Sequence, residues 1–412
     1  MKILIVTQYF WPENFKINDL ASNLKERGND VTVLTGKPNY PDGKFYTGYS
    51  FFNKKIEFYK DVKIIRSPLI SRGNCSGMRL FLNYLSFAFF GSITAIFRLK
   101  KEADIIFVYE PSPITVGIPA LFYKLFSKVP LFFWIQDLWP ESLIAAGDVK
   151  SKLILKLTER LVRLIYRKSD IIFISSRSFK QSITAKGVKS EKIFYLPNWA
   201  EDIYYTPVKR DEDIVKLLPV KGFKIMFAGN IGESQDFESI VEAAEKTREY
   251  TDIHWIIIGD GRKKSWVEQE IRLKKLNNIH LLGRHPMKMM PSFFREADAM
   301  LVSLKDETIF GLTVPAKIQS YLACGKPILA MMNGEGADII RESKSGFAVN
   351  AGDFNALADR VIEMYNMPKS NLDLMAKSSK DFYLNNFDRK DLIDKLMSVF
   401  YSFTENNQAR KE

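Results

Sequence analysis

Lys317 stands two residues after Pro315 in the stretch Val314-Pro315-Ala316-Lys317-Ile318-Gln319-Ser320. Proline fits the first helical position, because its missing N–H is one of the groups a helix leaves unpaired there. A lysine in that turn opposes the helix dipole. Either it is a solvated cation, or an anion shares the helix N-terminus with it. A second anion-suited place is Gly229-Asn230-Ile231-Gly232-Glu233-Ser234-Gln235-Asp236, a glycine-bearing loop between an apolar run and a helical pattern. It is not GxGxxG, so a nicotinamide fingerprint is absent. Gly259-Asp260-Gly261-Arg262 and Gly283-Arg284-His285-Pro286 follow two further apolar runs. In Asp137-Leu138-Trp139-Pro140-Glu141, two carboxylates flank a tryptophan just after a strand. Asp137 suits a general base or a group that orients a sugar hydroxyl, with Trp139 placed to stack on a sugar ring. The alternative for Asp137 is a helix cap. The first loop, residues 8–16, carries Glu13, Asn14 and Lys16 among aromatics. It reads equally as a site for a carbohydrate or lipid-linked acceptor and as an aromatic packing corner.

These residues need elements to hold them. Short apolar runs at 2–7, 31–35, 63–66, 104–108, 131–135, 171–174 and 193–196 read as strands, with a helix over 18–27. Residues 200–222 read as a linker, being polar and charged with two prolines. A second series of strands follows at 224–228, 254–258, 279–282, 297–303, 327–331 and 346–349, with helices over 237–248 and 388–402. Strands alternating with helices predict α/β domains with parallel sheets, whose ligands bind beyond the carboxyl ends of the strands. At 412 residues the chain is long enough for two such domains.

The net charge of +12 is uneven. Residues 1–200 hold 30 Lys and Arg against 16 Asp and Glu, whereas residues 201–412 hold 30 against 32. The basic first half either faces an anionic partner, such as a phosphorylated substrate or a membrane surface, or is simply solvated. No basic stripe carries a nucleic-acid reading motif, so no nucleic-acid partner is expected. Residues 80–97 are uncharged, yet Asn83, Ser86, Ser92 and Thr94 argue against a stable membrane span. This segment reads as a helix partly in the core and partly on a membrane surface. Residues 151–168 form a basic amphipathic pattern that also suits anionic lipid. The two cysteines, Cys75 and Cys324, suggest a reducing compartment, and the three histidines show no metal-ligand spacing. The chain opens on a strand pattern rather than a signal peptide, so a cytoplasmic location is expected.

With these residues in view, the sequence resembles the retaining glycosyltransferases of family GT4, which have the GT-B fold. The resemblance is carried by DLWPES (137–142), LPNW (196–199), FAGNIGESQ (227–235), IIIGDG (256–261), LLGRHP (281–286) and PAKIQSYLACGKPI (315–328). Within the family it is most similar to bacterial O-antigen and capsule enzymes of the WbuB/WcaI type, through WPENFKIND (11–19) and PNYPDGKFYTGY (38–49). Some of those are assigned as L-N-acetylfucosamine transferases. The resemblance implies two Rossmann-like, doubly wound domains facing a central cleft. Residues 1–200 would bind the acceptor and face the membrane, joined by a C-terminal helix over 386–412. Residues 201–385 would bind the donor, a UDP-sugar. Gly229, Asn230 and Gly232 would lie by the diphosphate with Gln235 close by, and Gly259, Gly261 and Arg284 by the nucleoside. Pro315 would open the helix that meets the diphosphate. The acceptor would be a polyprenyl-diphosphate-linked glycan on the inner face of the cytoplasmic membrane.

The sequence departs from the family pattern at several points. Two glutamates common in the family fall at Leu312 and Ser320, and Gln319 is placed to supply a substitute hydrogen bond. The usual arginine and lysine after the first strand of the second domain are absent, with Gln235 near the lysine's place. The common histidine of the first domain is Gln136. Lys317 then becomes the group expected to offset diphosphate charge, together with N–H groups of the 229–232 loop. Asp137 and Glu141 are the expected catalytic carboxylates, and no cofactor or metal is expected.

Overall fold

A computed structural model describes every residue except 54, 101, 146–150 and 410–412. The chain divides into two compact units, Met1–Pro197 with Ile393–Glu412, and Asn198–Leu392. The first contains β1 (Lys2–Val6), α1 (Lys16–Glu26), β2 (Asp30–Thr35), β3 (Ile56–Tyr59), β4 (Val62–Arg66), α2 (Gly77–Phe97), β5 (Ile105–Glu110), α3 (Gly117–Ser127), β6 (Leu131–Ile135), α4 (Glu141–Ala145), α5 (Lys152–Lys168), β7 (Ile171–Ile174), α6 (Phe179–Ala185) and β8 (Ile193–Tyr195). Its sheet runs β3-β4-β2-β1-β5-β6-β7-β8. Every pairing is parallel except β3 with β4. β5 and β6 are buried at every position, as expected of parallel strands covered on both faces.

The second unit contains α7 (Glu212–Val215), β9 (Phe223–Ala228), α8 (Phe237–Lys246), β10 (Ile253–Ile258), α9 (Lys264–Lys274), β11 (Ile279–Gly283), α10 (Met290–Arg295), β12 (Ala299–Ser303), α11 (Thr308–Leu312), α12 (Ala316–Ala323), β13 (Ile328–Met331), α13 (Glu335–Glu342), β14 (Gly346–Val349), α14 (Phe354–Asn366) and α15 (Lys369–Phe387). A last helix, α16 (Arg389–Ala409), begins here and continues into the first unit's segment. The six strands are all parallel in the order β11-β10-β9-β12-β13-β14. That is the Rossmann order, with its switch point between β9 and β12. The first sheet reverses direction in the same way between β1 and β5.

Three expectations change. The supposed linker is packed structure: Ala200, Ile214 and Leu218 lie in the core of the second unit with Met226 and Tyr321. Proline 315 is the residue before α12 rather than its first helical residue. The antiparallel edge strand β3 was not expected, because its outward positions Ile56 and Phe58 are exposed and break the buried-run pattern. α2 is the one helix among the described residues long and apolar enough to cross a membrane. It lies along α3, with Gly91 close to Pro119.

Candidate functional site

In the second unit the loops after β9, β10 and β12 meet at the switch point. The loop after β9 is zipped to the one after β10: Gly229 N–H donates to Ile258 O at 2.9 Å and Ile231 N–H to Asp260 O at 2.9 Å. Gly259 N–H in turn donates to Gly283 O at 2.8 Å. Gly259 has φ +149°, and a Cβ there would fall 1.8 Å from Gly229 O. Only glycine permits that approach. Across the switch point, Ser303 Oγ donates to Gln235 O at 2.6 Å and Lys305 N–H to Ser234 O at 3.0 Å. Gly232 N–H is taken by Gln235 Oε1 at 3.2 Å. Three of the four N–H groups expected to face an anion are therefore spent within the fold. The loop's rigidity, rather than its N–H groups, is what it contributes.

α12 is fixed against this loop by Tyr321, which sequence reasoning missed. Its hydroxyl accepts from Ala228 N–H at 3.2 Å at the end of β9. One turn earlier on the same helix, Lys317 extends along the Phe227 ring, with Nζ 3.8 Å from the ring centroid. Nζ would sit 3.1 Å from a Cβ on Gly229, so a glycine at that position leaves the ammonium its room. The ammonium is buried and has no hydrogen-bond acceptor among the described residues. Burial pulls its pKa down to about 7. A cation–π contact offsets part of that cost, but a buried ammonium normally needs an anion. Nearby Lys263 and Lys305 are already neutralised, Lys263 by Glu238 and Glu233 and Lys305 by Glu233 at 3.0 Å.

The other expected donor-side groups divide. Asn230 and Arg284 are exposed, and a Cβ on Gly261 would fall 2.3 Å from Ile231 O. Gln319 is buried, and with its amide oriented to satisfy its neighbours it donates to Pro315 O at 3.1 Å and Ala316 O at 3.2 Å. Ser320 Oγ donates to Ala316 O at 3.4 Å. In this arrangement the Gln319 amide closes the first turn of its own helix.

In the first unit, Asp137 follows β6 and accepts a hydrogen bond from Ser142 Oγ. Burial raises its pKa to about 6, against the opposing pull of Ser142 and the Leu138 N–H. It caps no helix. Glu141 is different: Lys186 and Ser182 hold its Oε1, with Ser182 Oγ at 2.6 Å. Burial alone would raise its pKa, but those two partners hold it below the usual carboxylate range. Glu141 therefore ties α4 to α6 through Oε1, while its Oε2 is buried without a hydrogen-bond partner among the described residues. Trp139 is 8% exposed, so little of its side chain is open to a sugar. Glu13 is also buried, and its carboxylate accepts from Phe10, Asn39 and Tyr40 N–H groups. Burial still raises it to about 7. It organises the loop as a packing corner, while Asn14 is exposed and Lys16 half-buried beside it.

Glu110 went unnoticed in the sequence, because β5 runs two residues past the apolar run that marks it. It ends β5 at the first sheet's switch point, fully buried, and among the described residues neither carboxyl oxygen has a hydrogen-bond partner of normal geometry. Burial first, and the neighbouring Asp137 charge second, push it well above the carboxylate range. Two residues on, Ser112 sits at φ +136°, a strained conformation for a residue with a side chain. Among the described residues no group of three His, Cys, Asp or Glu side chains could hold a metal ion.

Known proteins share this arrangement. The family model for glycosyl transferases group 1 matches residues 222–367, and that for the glycosyl transferase 4-like domain matches residues 15–199. WcaI of Escherichia coli K12, designated a colanic acid biosynthesis glycosyl transferase, is 27% identical over 79% of this chain and 82% of its own length. WbjE of Pseudomonas aeruginosa, designated a glycosyltransferase, is 28% identical over 77% of each chain. Among solved structures, HepE of Anabaena in complex with UDP aligns with a TM-score of 0.70 over 98% of this chain and all of its own, at 16% identity. Sucrose-phosphate synthase of Thermosynechococcus elongatus aligns with a TM-score of 0.76 over 98% and 99%, at 13% identity. With two doubly wound units and both family models matched in order along most of its length, this chain belongs to the group 1 glycosyltransferases of the GT-B fold and is a glycosyltransferase.

Proposed function

We propose that this enzyme transfers a sugar from a UDP-sugar to a polyprenyl-diphosphate-linked glycan, with retention at the anomeric carbon and without a metal ion. The observation that carries the donor half is the buried Lys317 ammonium, which lacks an acceptor at the N-terminus of α12 and against the Gly229 loop. A diphosphate there would supply the missing anion. As the glycosidic bond breaks, the leaving UDP gains charge, and a fixed ammonium at a helix N-terminus stabilises that charge more than the ground state. Because Lys317 pairs with no carboxylate among the described residues, no internal ion pair has to break first. The solved HepE structure supports UDP as the nucleotide. Asp137 is the group that would orient a hydroxyl at the reacting centre, with Glu110 behind it as a neutral carboxylic acid.

The setting is O-antigen or capsule synthesis on the inner face of the cytoplasmic membrane, with L-N-acetylfucosamine as the sugar. The name of WcaI, which places that protein in colanic acid biosynthesis, supports a surface polysaccharide. The test is a panel of UDP-sugars offered with a polyprenyl-diphosphate–GlcNAc acceptor, read by product mass and by NMR of the new linkage. Transfer from UDP-L-N-acetylfucosamine with a retained anomer is expected. Transfer only from other UDP-sugars would overturn the sugar, and an inverted anomer would overturn the mechanism.

A further inference from the structure

α2 is built inside out for a helix on a water-soluble surface. Its polar residues Asn83, Ser86, Ser92 and Thr94 are buried. Asn83 is fixed there, accepting from Gln8 Nε2 at 2.7 Å and donating to Ile70 O at 2.6 Å. The outward side carries Phe81, Leu85, Phe89, Ile93 and Phe97, one every fourth residue, with Phe89 61% and Phe97 78% exposed. At a spacing of four, successive members lie one above the next, so they form a ridge that winds slowly around the helix. A stripe of large apolar side chains facing water is not what a monomeric soluble surface shows.

The stripe does not end at α2. α3 packs beside it and exposes Phe122 and Leu125, the latter to 69%. α5 packs on the other side of α3, where Ile165 meets Gly117. Between α3 and α5 runs a groove of about 710 Å³, floored by Leu121, Leu125, Leu161 and Leu164 and edged by Lys128 and Lys168. α5 itself exposes Leu153 and Leu157 together with Lys152, Lys156, Arg160, Arg163, Arg167 and Lys168, against the single acid Glu159. The face is thus apolar with a cationic border. Its charge names its partner: a surface that offers hydrocarbon beneath anionic headgroups satisfies both parts at once. A second copy of this basic chain would meet the apolar part but leave the cations unanswered.

We infer that the α2–α3–α5 face of the first unit docks on an anionic lipid bilayer, with the α3–α5 groove receiving lipid chain. The inference deepens the lipid-linked acceptor reading and rests on it for its purpose, though not for its test. The full chain is sedimented with phosphatidylcholine vesicles with and without phosphatidylglycerol, at low and high salt. UDP binding by calorimetry and oligomeric state by sedimentation velocity are measured on the same samples. Co-sedimentation only with the anionic vesicles, weakened by salt, is expected. The exposed-site variants Phe89→Ser with Leu125→Ser, and Arg160→Ser with Arg167→Ser, should each lower vesicle partitioning by about tenfold. Unchanged UDP binding in both would show that they fold. Equal binding to both vesicle types, no binding to either, or variants that bind as the parent would overturn the docking face. A dimer that Phe89→Ser with Leu125→Ser dissolves, without vesicle binding in the parent, would assign the face to a second copy instead. Loss of UDP binding in the parent would sink the donor reading and leave the docking result standing.

Discussion

At Lys317 the physics of one side chain decides what its site can do. Its ammonium titrates at about pH 7 because it is buried without an acceptor. A diphosphate beside it would raise that value, so UDP binding should take up a proton. The sign follows: affinity is greatest where the free lysine is already charged and falls as pH rises above about 7. Calorimetry in buffers of different ionisation enthalpy should show the uptake. Lys317→Met should remove both the uptake and the pH dependence, and should weaken UDP binding by about 10- to 100-fold, the worth of a charge-assisted hydrogen bond. Binding unchanged in that variant would remove Lys317 from the donor site. Asp137 makes the opposite kind of prediction. Its carboxyl is raised from 3.8 to about 6, so the folded chain holds that proton more tightly than the unfolded one. The stability this confers is present at low pH and is lost as pH rises through about 6. Asp137→Asn should therefore raise stability by about 1–3 kcal/mol at neutral pH, read from denaturant midpoints, while slowing transfer by about 10²- to 10⁴-fold. A gain in stability with full activity would make Asp137 a buried structural acid.

Elements set the precision with which those residues meet. β9, β10 and β11 deliver their loops in register, and the loops then hydrogen-bond to one another through backbone. Gly259 is the point of closest approach, so Gly259→Ala should cost more than about 2 kcal/mol and abolish UDP binding by separating the two loops. Calorimetric unfolding and UDP titration would show it, and a variant that binds normally would mean the loops are not rigidly coupled. The strands themselves were legible in the sequence because parallel, doubly covered strands are continuous apolar runs. The sequence placed Lys317 at a helix N-terminus, and only the sheet order, with β9 beside β12, puts that helix at the switch point. What could not be read was the direction each polar side chain takes. Glu13 and Glu141 look like free acids in sequence, yet backbone N–H groups claim the first and Lys186 claims the second. Gln319 stands beside Ser320, but the helical turn aims its amide back at Pro315. Each of these partners comes from a loop or turn whose geometry no local pattern encodes. Tyr321 escaped notice for the converse reason: an aromatic four residues after Lys317 reads as core, and it is core, with a hydroxyl that pins α12 to β9.

At the scale of the whole molecule, the uneven charge follows the division into units. The basic excess of residues 1–200 lies in the unit whose exposed face is apolar with a cationic border, and the near-neutral remainder forms the second Rossmann unit. The first unit is completed only by the end of the chain. Phe400, fully buried on α16, meets Phe132 at 4.9 Å, Phe107 at 5.6 Å and Phe173 at 6.4 Å between ring centroids, and Phe403 adds a contact to Phe132 at 5.3 Å. These rings cover strands β5, β6 and β7, so α16 acts as a missing wall of a sheet laid down far earlier. Aromatic side chains of this size bury much area, and their edge-to-face geometry adds to it. Phe400→Ala should then cost about 3–5 kcal/mol, all of it in the first unit. Scanning calorimetry with and without UDP separates the two: nucleotide binding should raise the transition of the second unit by mass action. The variant should lower the other transition and leave the UDP-sensitive one in place. If the UDP-sensitive transition fell by the same amount, the two units would unfold as one cooperative body, and the stability of the donor site would depend on the chain's last helix.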